Sequence, residues 1–87
     1  MPDGESIRID QLLYFLRLAK SRSIAQLWAR SGHVRADGTR VQKSSATVVA
    51  GSIITFPKGE EIISFRLIAV PHRRGPAQEA QRHYQLL

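Results

Sequence analysis

The sequence contains no cysteine among its 87 residues. Disulfide bonds, thiolate zinc sites and cysteine nucleophiles are therefore excluded. No apolar run approaches the ~18 residues of a membrane-spanning helix. Residues 1–5 have neither the basic nor the apolar region of a signal peptide. From these absences we expect a cytoplasmic chain without a membrane partner.

Catalytic motifs are also missing. The sequence has no phosphate-binding loop, no glycine-rich dinucleotide motif and no zinc-protease motif. His33, His72 and His83 lack ligand-like spacing and cysteine partners. A chain of this length buries only ~60–65% of its unfolded surface, so a deep active site is hard to build. We predict a binding module rather than an enzyme, with no catalytic residue, cofactor or metal ion.

Positive charge is abundant and unevenly placed. The chain has 13 Lys and Arg against 7 Asp and Glu, a net charge of +6. Seven of the basic residues lie in residues 17–43, where Asp37 is the only acid. Arg outnumbers Lys ten to three, and its planar guanidinium matches phosphate geometry. This pattern favours a nucleic-acid binder, although charge alone is equally compatible with a solvated basic face.

Two apolar stripes at helical spacing predict a pair of helices. The first predicts a helix over 9–19 with Asp10 as its N-cap. The second predicts a helix over 22–31 that Ser21 caps and Gly32 ends. Its apolar face consists of Ile24, Leu27 and Trp28. A tight turn between the two makes an αα-hairpin.

The remaining chain predicts short strands and a final helix. Asp37-Gly38 between two short extended runs is a strong signal for a hairpin with a type I′ turn. Residues 53–56 and 62–70 predict an antiparallel pair, and Pro76 begins a predicted helix towards Leu87.

The predicted fold class is therefore α+β. We expect a two-helix hairpin packed on a small, mainly antiparallel sheet of four short strands, followed by a C-terminal helix or tail. The predicted division is a nucleic-acid-binding domain over 7–70 and a basic loop with a helical tail over 71–87.

Several motifs resemble the S4 RNA-binding domain, also called the alpha-L motif. They comprise Arg8-Ile9-Asp10, Leu13, Lys20-Ser21-Arg22-Ser23-Ile24-Ala25, Ser31-Gly32-His33-Val34 and Asp37-Gly38. The likeness covers about residues 8–56. The tail, Arg73-Arg74-Gly75-Pro76-Ala77-Gln78-Glu79-Ala80 and then Tyr84, is similar to that of the small ribosome-associated heat-shock protein 15 family. Asp37-Gly38 replaces the usual Asn-Gly and adds a negative charge near the expected RNA face.

The resemblance implies which residues contact RNA. They are Arg8, Arg17, Lys20, Ser21, Arg22, Ser23, Gln26, Arg30, Arg35, Asp37, Gly38, Arg40 and Lys43. Lys20, Arg22 and Ser23 also lie where a helix N-terminus favours a phosphate. Asp10 is expected to cap its helix and orient neighbours. Trp28 fits core packing better than stacking on a base.

The leading functional hypothesis is a stand-alone S4-type protein that binds structured ribosomal RNA. The family likeness implies the large ribosomal subunit, during rescue or recycling of stalled subunits under stress. A monomer is expected, because no conspicuous interface stripe is present. Two alternatives remain open. One is a general module that binds DNA non-specifically, and the other is a non-catalytic recruitment domain that acts through its C-terminal tail.

Overall fold

The computed structural model describes residues 5–87, which contain three short helices and seven strands joined by turns and loops. The strands are β1 (Ser6–Arg8), β2 (Arg35–Ala36), β3 (Thr39–Arg40), β4 (Thr47–Val49), β5 (Ile53–Lys58), β6 (Glu61–Leu67) and β7 (Tyr84–Leu86). The helices are α1 (Ile9–Phe15), α2 (Arg22–Arg30) and α3 (Ala77–Ala80).

All strand pairs in this region are antiparallel. One sheet has the order β3-β2-β5-β6-β7, and a second, two-stranded sheet pairs β1 with β4. The α+β class, with a helix pair and antiparallel strands, is confirmed. The structure adds the β1–β4 pair and β7 to the four predicted strands, because these pairings join segments far apart in sequence.

Helix α1 is shorter than the predicted span of 9–19. The Arg17 N–H bonds the Tyr14 carbonyl at 3.1 Å, and the Leu18 N–H bonds the Leu13 carbonyl at 3.0 Å. These two bonds form the C-terminal motif that usually needs glycine in the left-handed position. Arg17 takes that position with a φ of +64°. The apolar stripe continues beyond the helix, since Ala19 is buried in a turn.

The helix caps agree only in part with the prediction. The N-cap of α1 is Arg8, so the prediction that Asp10 caps this helix is wrong. Asp10 lies in the first turn instead and is fully buried. For α2 the prediction is confirmed, because the Ser21 hydroxyl accepts the Ile24 N–H at 3.2 Å. Gly32, with a φ of +77°, follows the end of that helix.

The C-terminal region departs most from expectation. The predicted helix from Pro76 to Leu87 is wrong, because α3 is a single turn and β7 follows it. The edge of β6 has backbone N–H and C=O groups that another strand can bond but a helix cannot. Tyr84 of β7 pairs there with Leu67. Strand β6 likewise ends at Leu67 rather than at residue 70. The division of the chain at residue 70 stays a prediction.

One apolar core joins the helix pair to both sheets. Its largest fully buried side chains are Phe56, Phe65, Ile9, Leu12, Leu13, Leu16, Ile54, Leu67 and Val34. Trp28 packs on this core, stacked on Phe56 with 5.4 Å between ring centroids. Leu27 does not join the apolar face as predicted and is 56% exposed. Ala25 and Ala29 are the fully buried residues of α2 and face the core, whereas Leu27 and the basic side chains of this helix are exposed.

Candidate nucleic-acid interface

The buried carboxylate of Asp10 organises the first group of predicted site residues. Arg8 donates from Nε to Oδ1 at 3.1 Å and from Nη2 to Oδ2 at 3.0 Å. Gln26 donates from Nε2 to Oδ2 at 3.1 Å, and the Arg22 Nη2 lies 3.6 Å from the same oxygen. Side chains from β1, α1 and α2 thus converge on one acid. We call Arg8, Asp10, Arg22 and Gln26 the Asp10 cluster.

The protonation state of this cluster follows from its hydrogen bonds. Burial raises the pKa of Asp10, but hydrogen bonds from Gln26, Arg8 and the Gln11 amide, together with the charge of Arg8, lower it more. The net pKa lies below the ordinary aspartate value, so the carboxylate is ionised at neutral pH. It holds the two guanidinium groups in place while both arginine side chains stay 45% exposed. Fixed, accessible arginines of this kind are suited to bind phosphate.

The β2–β3 hairpin carries the second group. Its turn is confirmed, with positive φ at both Asp37 (+53°) and Gly38 (+83°). The Asp37 Oδ1 accepts the Ile53 N–H at 2.9 Å, and the Asp37 N–H bonds the Ile53 carbonyl at 2.8 Å. Asp37 thus ties the turn to β5. Arg35 and Arg40 are exposed and lie opposite each other in the hairpin register.

The hairpin exit connects these two groups. The Ile9 N–H bonds the Ala46 carbonyl at 2.7 Å, and the Asp10 N–H bonds the Ser44 carbonyl at 3.3 Å. Lys43 directly precedes this segment and is exposed. It lines an open depression of about 450 Å³ together with Ala36, Thr39, Arg40, Val41, Gln42 and Ala46. The segment that follows Lys43 at the hairpin exit is therefore hydrogen-bonded to the start of α1, next to the Asp10 cluster.

Helix α2 extends this surface along its length. Arg22, Gln26 and Arg30 recur at intervals of four and so share one face. Ser23 is exposed on the adjacent face, and the Ser21 hydroxyl is occupied as the N-cap. A phosphate at the start of α2 stays a prediction.

Two predicted contact residues lie elsewhere. Arg17 and Lys20 border a separate cleft beside α2, together with Lys58, which sequence reasoning missed. A lone lysine at the end of a strand carries no local signal of function, so its place beside these residues emerges only in three dimensions. The central role of Asp10 did have a signal, since it lies two residues from Arg8 in the motif.

Within residues 5–87, no three His, Asp or Glu side chains are grouped to hold a metal ion. Over the same range, no helix combines the length and apolar character needed to cross a bilayer.

A small α+β fold with arginines gathered on a helix pair and a hairpin belongs to the class of nucleic-acid-binding modules. Comparison with known families gives the match: the S4 domain model covers residues 7–54. The chain belongs to the S4 domain family.

Two curated relatives and one solved structure refine this assignment. A heat shock protein 15 homologue of Haemophilus influenzae is 35% identical over 93% of this chain and 61% of its own length. The small ribosomal subunit protein uS4 of Opitutus terrae is 43% identical over 54% of this chain and 23% of its own length. This chain therefore spans less than two thirds of either curated relative.

The solved structure is that of Vibrio cholerae heat shock protein 15, described as trimeric. It has a TM-score of 0.89 and 31% identity to this chain, and the match covers 95% of this chain and 83% of that one. The resemblance to heat shock protein 15 predicted from the motifs is confirmed.

Proposed function

We propose that this chain binds structured ribosomal RNA on the large ribosomal subunit and acts there in the rescue or recycling of stalled subunits under stress. The observation that carries the proposal is the Asp10 cluster, which holds Arg8 and Arg22 next to the hairpin exit. Arginines fixed before binding lose less conformational freedom when RNA arrives, which strengthens association.

The mechanism is non-covalent and needs no cofactor or metal ion. Exposed arginines and lysines neutralise phosphates and release counterions, so affinity falls steeply with salt. RNA shape and unpaired elements supply specificity, since side chains cannot read the deep major groove of an A-form helix. We expect these phosphate contacts to include Arg30, Arg35, Arg40 and Lys43.

The ribosomal target is supported by the relatives. One of them is a ribosomal protein and two are heat shock protein 15 chains. The large subunit and the rescue role rest on the resemblance to the heat shock protein 15 family, and a cytoplasmic location is proposed with them. We propose a monomer as the binding unit. Because the Vibrio relative is described as a trimer, sedimentation velocity of this chain, alone and with RNA, tests that point.

The primary test is binding to purified large and small ribosomal subunits and to duplex DNA at matched salt. We expect preferential binding to large subunits and a steep decrease as salt rises. Preferential binding to small subunits would contradict the proposal that the chain acts on the large subunit. A preference for duplex DNA would favour the general nucleic-acid module instead.

A matched pair of double variants tests the surface itself. Arg35→Ala with Arg40→Ala removes two hairpin cations, and we expect the salt dependence on RNA to decrease by about one unit of slope per lost phosphate contact. Arg66→Ala with Arg82→Ala removes the same charge from exposed positions outside the predicted interface and should leave the slope nearly unchanged. Equal losses in both variants would show that only net charge matters.

A further inference from the structure

A second concave surface lies beside α2, away from the Asp10 cluster. It is a cleft of about 370 Å³, within the ~300–1,000 Å³ typical of small-molecule sites. Its lining residues are Arg17, Leu18, Lys20, Ile24, Trp28 and Lys58. Three are apolar or aromatic and three are basic, and none is acidic.

Helical geometry separates this cleft from the Asp10 cluster. At 100° per residue, Ile24 and Trp28 lie on one face of α2, whereas Arg22 and Gln26 lie on another. Leu27 lies between these faces and is 56% exposed. The exposed surface of α2 therefore runs from the Asp10 cluster past Arg30, Ser23 and Leu27 to the cleft.

The apolar floor of the cleft is held rigidly. Trp28 stacks on Phe56 with an angle of 22° between ring planes, and Phe56 is fully buried. Ile24 and Leu18 pack against the same core and are only partly buried. An aromatic surface that is supported from beneath and open at its side suits a planar, apolar ligand group.

The rim of the cleft is positively charged from three elements. Arg17 follows α1 and is fixed by donating from Nε to the Gly75 carbonyl at 2.6 Å. Lys20 precedes α2, and Lys58 ends β5. The ion pairs within residues 5–87 use Arg8, Arg22, His72 and Arg73 and involve none of these three cations. Although Glu61 faces Lys58 in the strand register, no pair within 4.0 Å forms between them.

We propose that this cleft binds one unpaired RNA base, with the flanking phosphates on Arg17, Lys20 and Lys58. A base has the flat apolar surface that Trp28, Ile24 and Leu18 can cover, and each nucleotide brings the negative charge that the rim can neutralise. The inference rests on the proposed RNA-binding function and extends it to a site specific for single-stranded RNA. It also assigns Lys58, at the end of β5, to RNA contact.

The only tryptophan of the chain reports directly on this cleft. The experiment titrates the protein with a short unstructured RNA oligonucleotide and follows Trp28 fluorescence. The control ligand is an abasic ribose-phosphate oligomer of the same length and charge. We expect the RNA to change the fluorescence and the abasic oligomer to leave it nearly unchanged. Equal responses to both would show electrostatic binding without base insertion and would overturn the proposal.

A single-charge comparison then locates the site. Lys58→Ala should weaken oligonucleotide binding about threefold to tenfold at low salt, as expected for one lost phosphate contact. Arg82→Ala removes one exposed charge outside the cleft and should have a much smaller effect. Equal effects of the two variants would overturn the assignment of Lys58.

Failure of this inference differs from failure of the proposed function. A structured ribosomal RNA fragment is titrated in parallel, and we expect its binding to depend on Arg35 and Arg40. If the fragment binds and the oligonucleotide does not perturb Trp28, the cleft proposal falls and the proposed function stands. If neither binds at low salt, both fall.

Discussion

Arg17 donates a hydrogen bond from Nε to the backbone carbonyl of Gly75 at 2.6 Å, joining residues 58 positions apart. A second arginine makes the reciprocal connection, since Arg74 donates from Nε to the Tyr14 carbonyl at 3.0 Å. The Arg74 guanidinium also lies 4.6 Å from the centre of the Tyr14 ring. These contacts fasten the basic loop near residue 74 to the end of α1.

This connection predicts unequal roles for two adjacent arginines. Arg74→Ala removes the bond to Tyr14 and the cation–π contact, and we expect it to lower the free energy of unfolding by about 1–2 kcal/mol. Arg73→Ala removes only an ion pair with Glu79 whose side chains are 69% and 38% exposed, so we expect less than about 0.5 kcal/mol. Urea unfolding of both variants measures the difference. Equal stability losses would contradict the structural role of Arg74.

The left-handed backbone at Arg17 predicts an order of stability between two variants. Both Arg17→Gly and Arg17→Ala lose the bond to Gly75, but only glycine takes a φ of +64° without strain. We therefore expect the glycine variant to be more stable than the alanine variant by about 1 kcal/mol. Thermal or urea unfolding checks the order, and an alanine variant of equal stability would show that Arg17 carries no strain.

The lowered pKa of Asp10 predicts a loss of stability in acid. Because the folded state holds this carboxylate ionised more strongly than the unfolded chain does, its contribution is complete above the unfolded pKa. It is lost as pH falls through the lower, folded pKa. Asp10→Asn should lower the free energy of unfolding by about 2 kcal/mol at pH 7. The difference from the unchanged chain should shrink below about pH 4.

Urea unfolding at a series of pH values measures this difference, and Asp37→Asn serves as the control. Asp37 is exposed, and an asparagine there can still accept the Ile53 N–H. We expect the free energy of unfolding of this control to fall in acid as it does for the unchanged chain. If Asp10→Asn loses as much stability in acid as the unchanged chain does, other carboxylates cause that loss of stability.

The same Asp37→Asn change predicts stronger RNA binding. Asparagine tolerates the left-handed backbone of the turn, so the hairpin is retained while one negative charge near Arg35 and Arg40 disappears. We expect affinity for ribosomal RNA to rise about twofold to fivefold at low salt and the gain to fade at high salt. Filter binding at two salt concentrations measures it. An unchanged affinity would place the turn outside the RNA contact.

Removal of the whole tail is a poor test of a recruitment role. Tyr84 packs edge-to-face on Phe65 with 5.3 Å between ring centroids, and Leu67 pairs with Tyr84 in the sheet. Deletion from residue 72 would therefore expose the edge of β6 and part of the core. Point changes such as Arg73→Ala separate partner binding from folding more cleanly.

Much of the fold was predictable because its signals are local. The spacing of Leu12, Leu13 and Leu16 indicates a helix, and the turn at Asp37 and Gly38 follows from two adjacent residue types. The Ser21 cap also acts within one turn of helix. Strand β7 could not be predicted in this way, because its pairing depends on a free edge that only the folded sheet offers.

The candidate site likewise has features that local sequence signals predict and features that depend on tertiary packing. By itself, the sequence determined the charge excess in residues 17–43, the helix pair, the hairpin turn and membership of the S4 family. Only the tertiary structure decided that Arg8, Arg22 and Gln26 meet on one buried carboxylate and that Lys58 joins Arg17, Lys20 and Trp28 around a cleft. Periodicity and turn chemistry act over a few residues, whereas these groupings depend on packing between segments 12 to 41 positions apart.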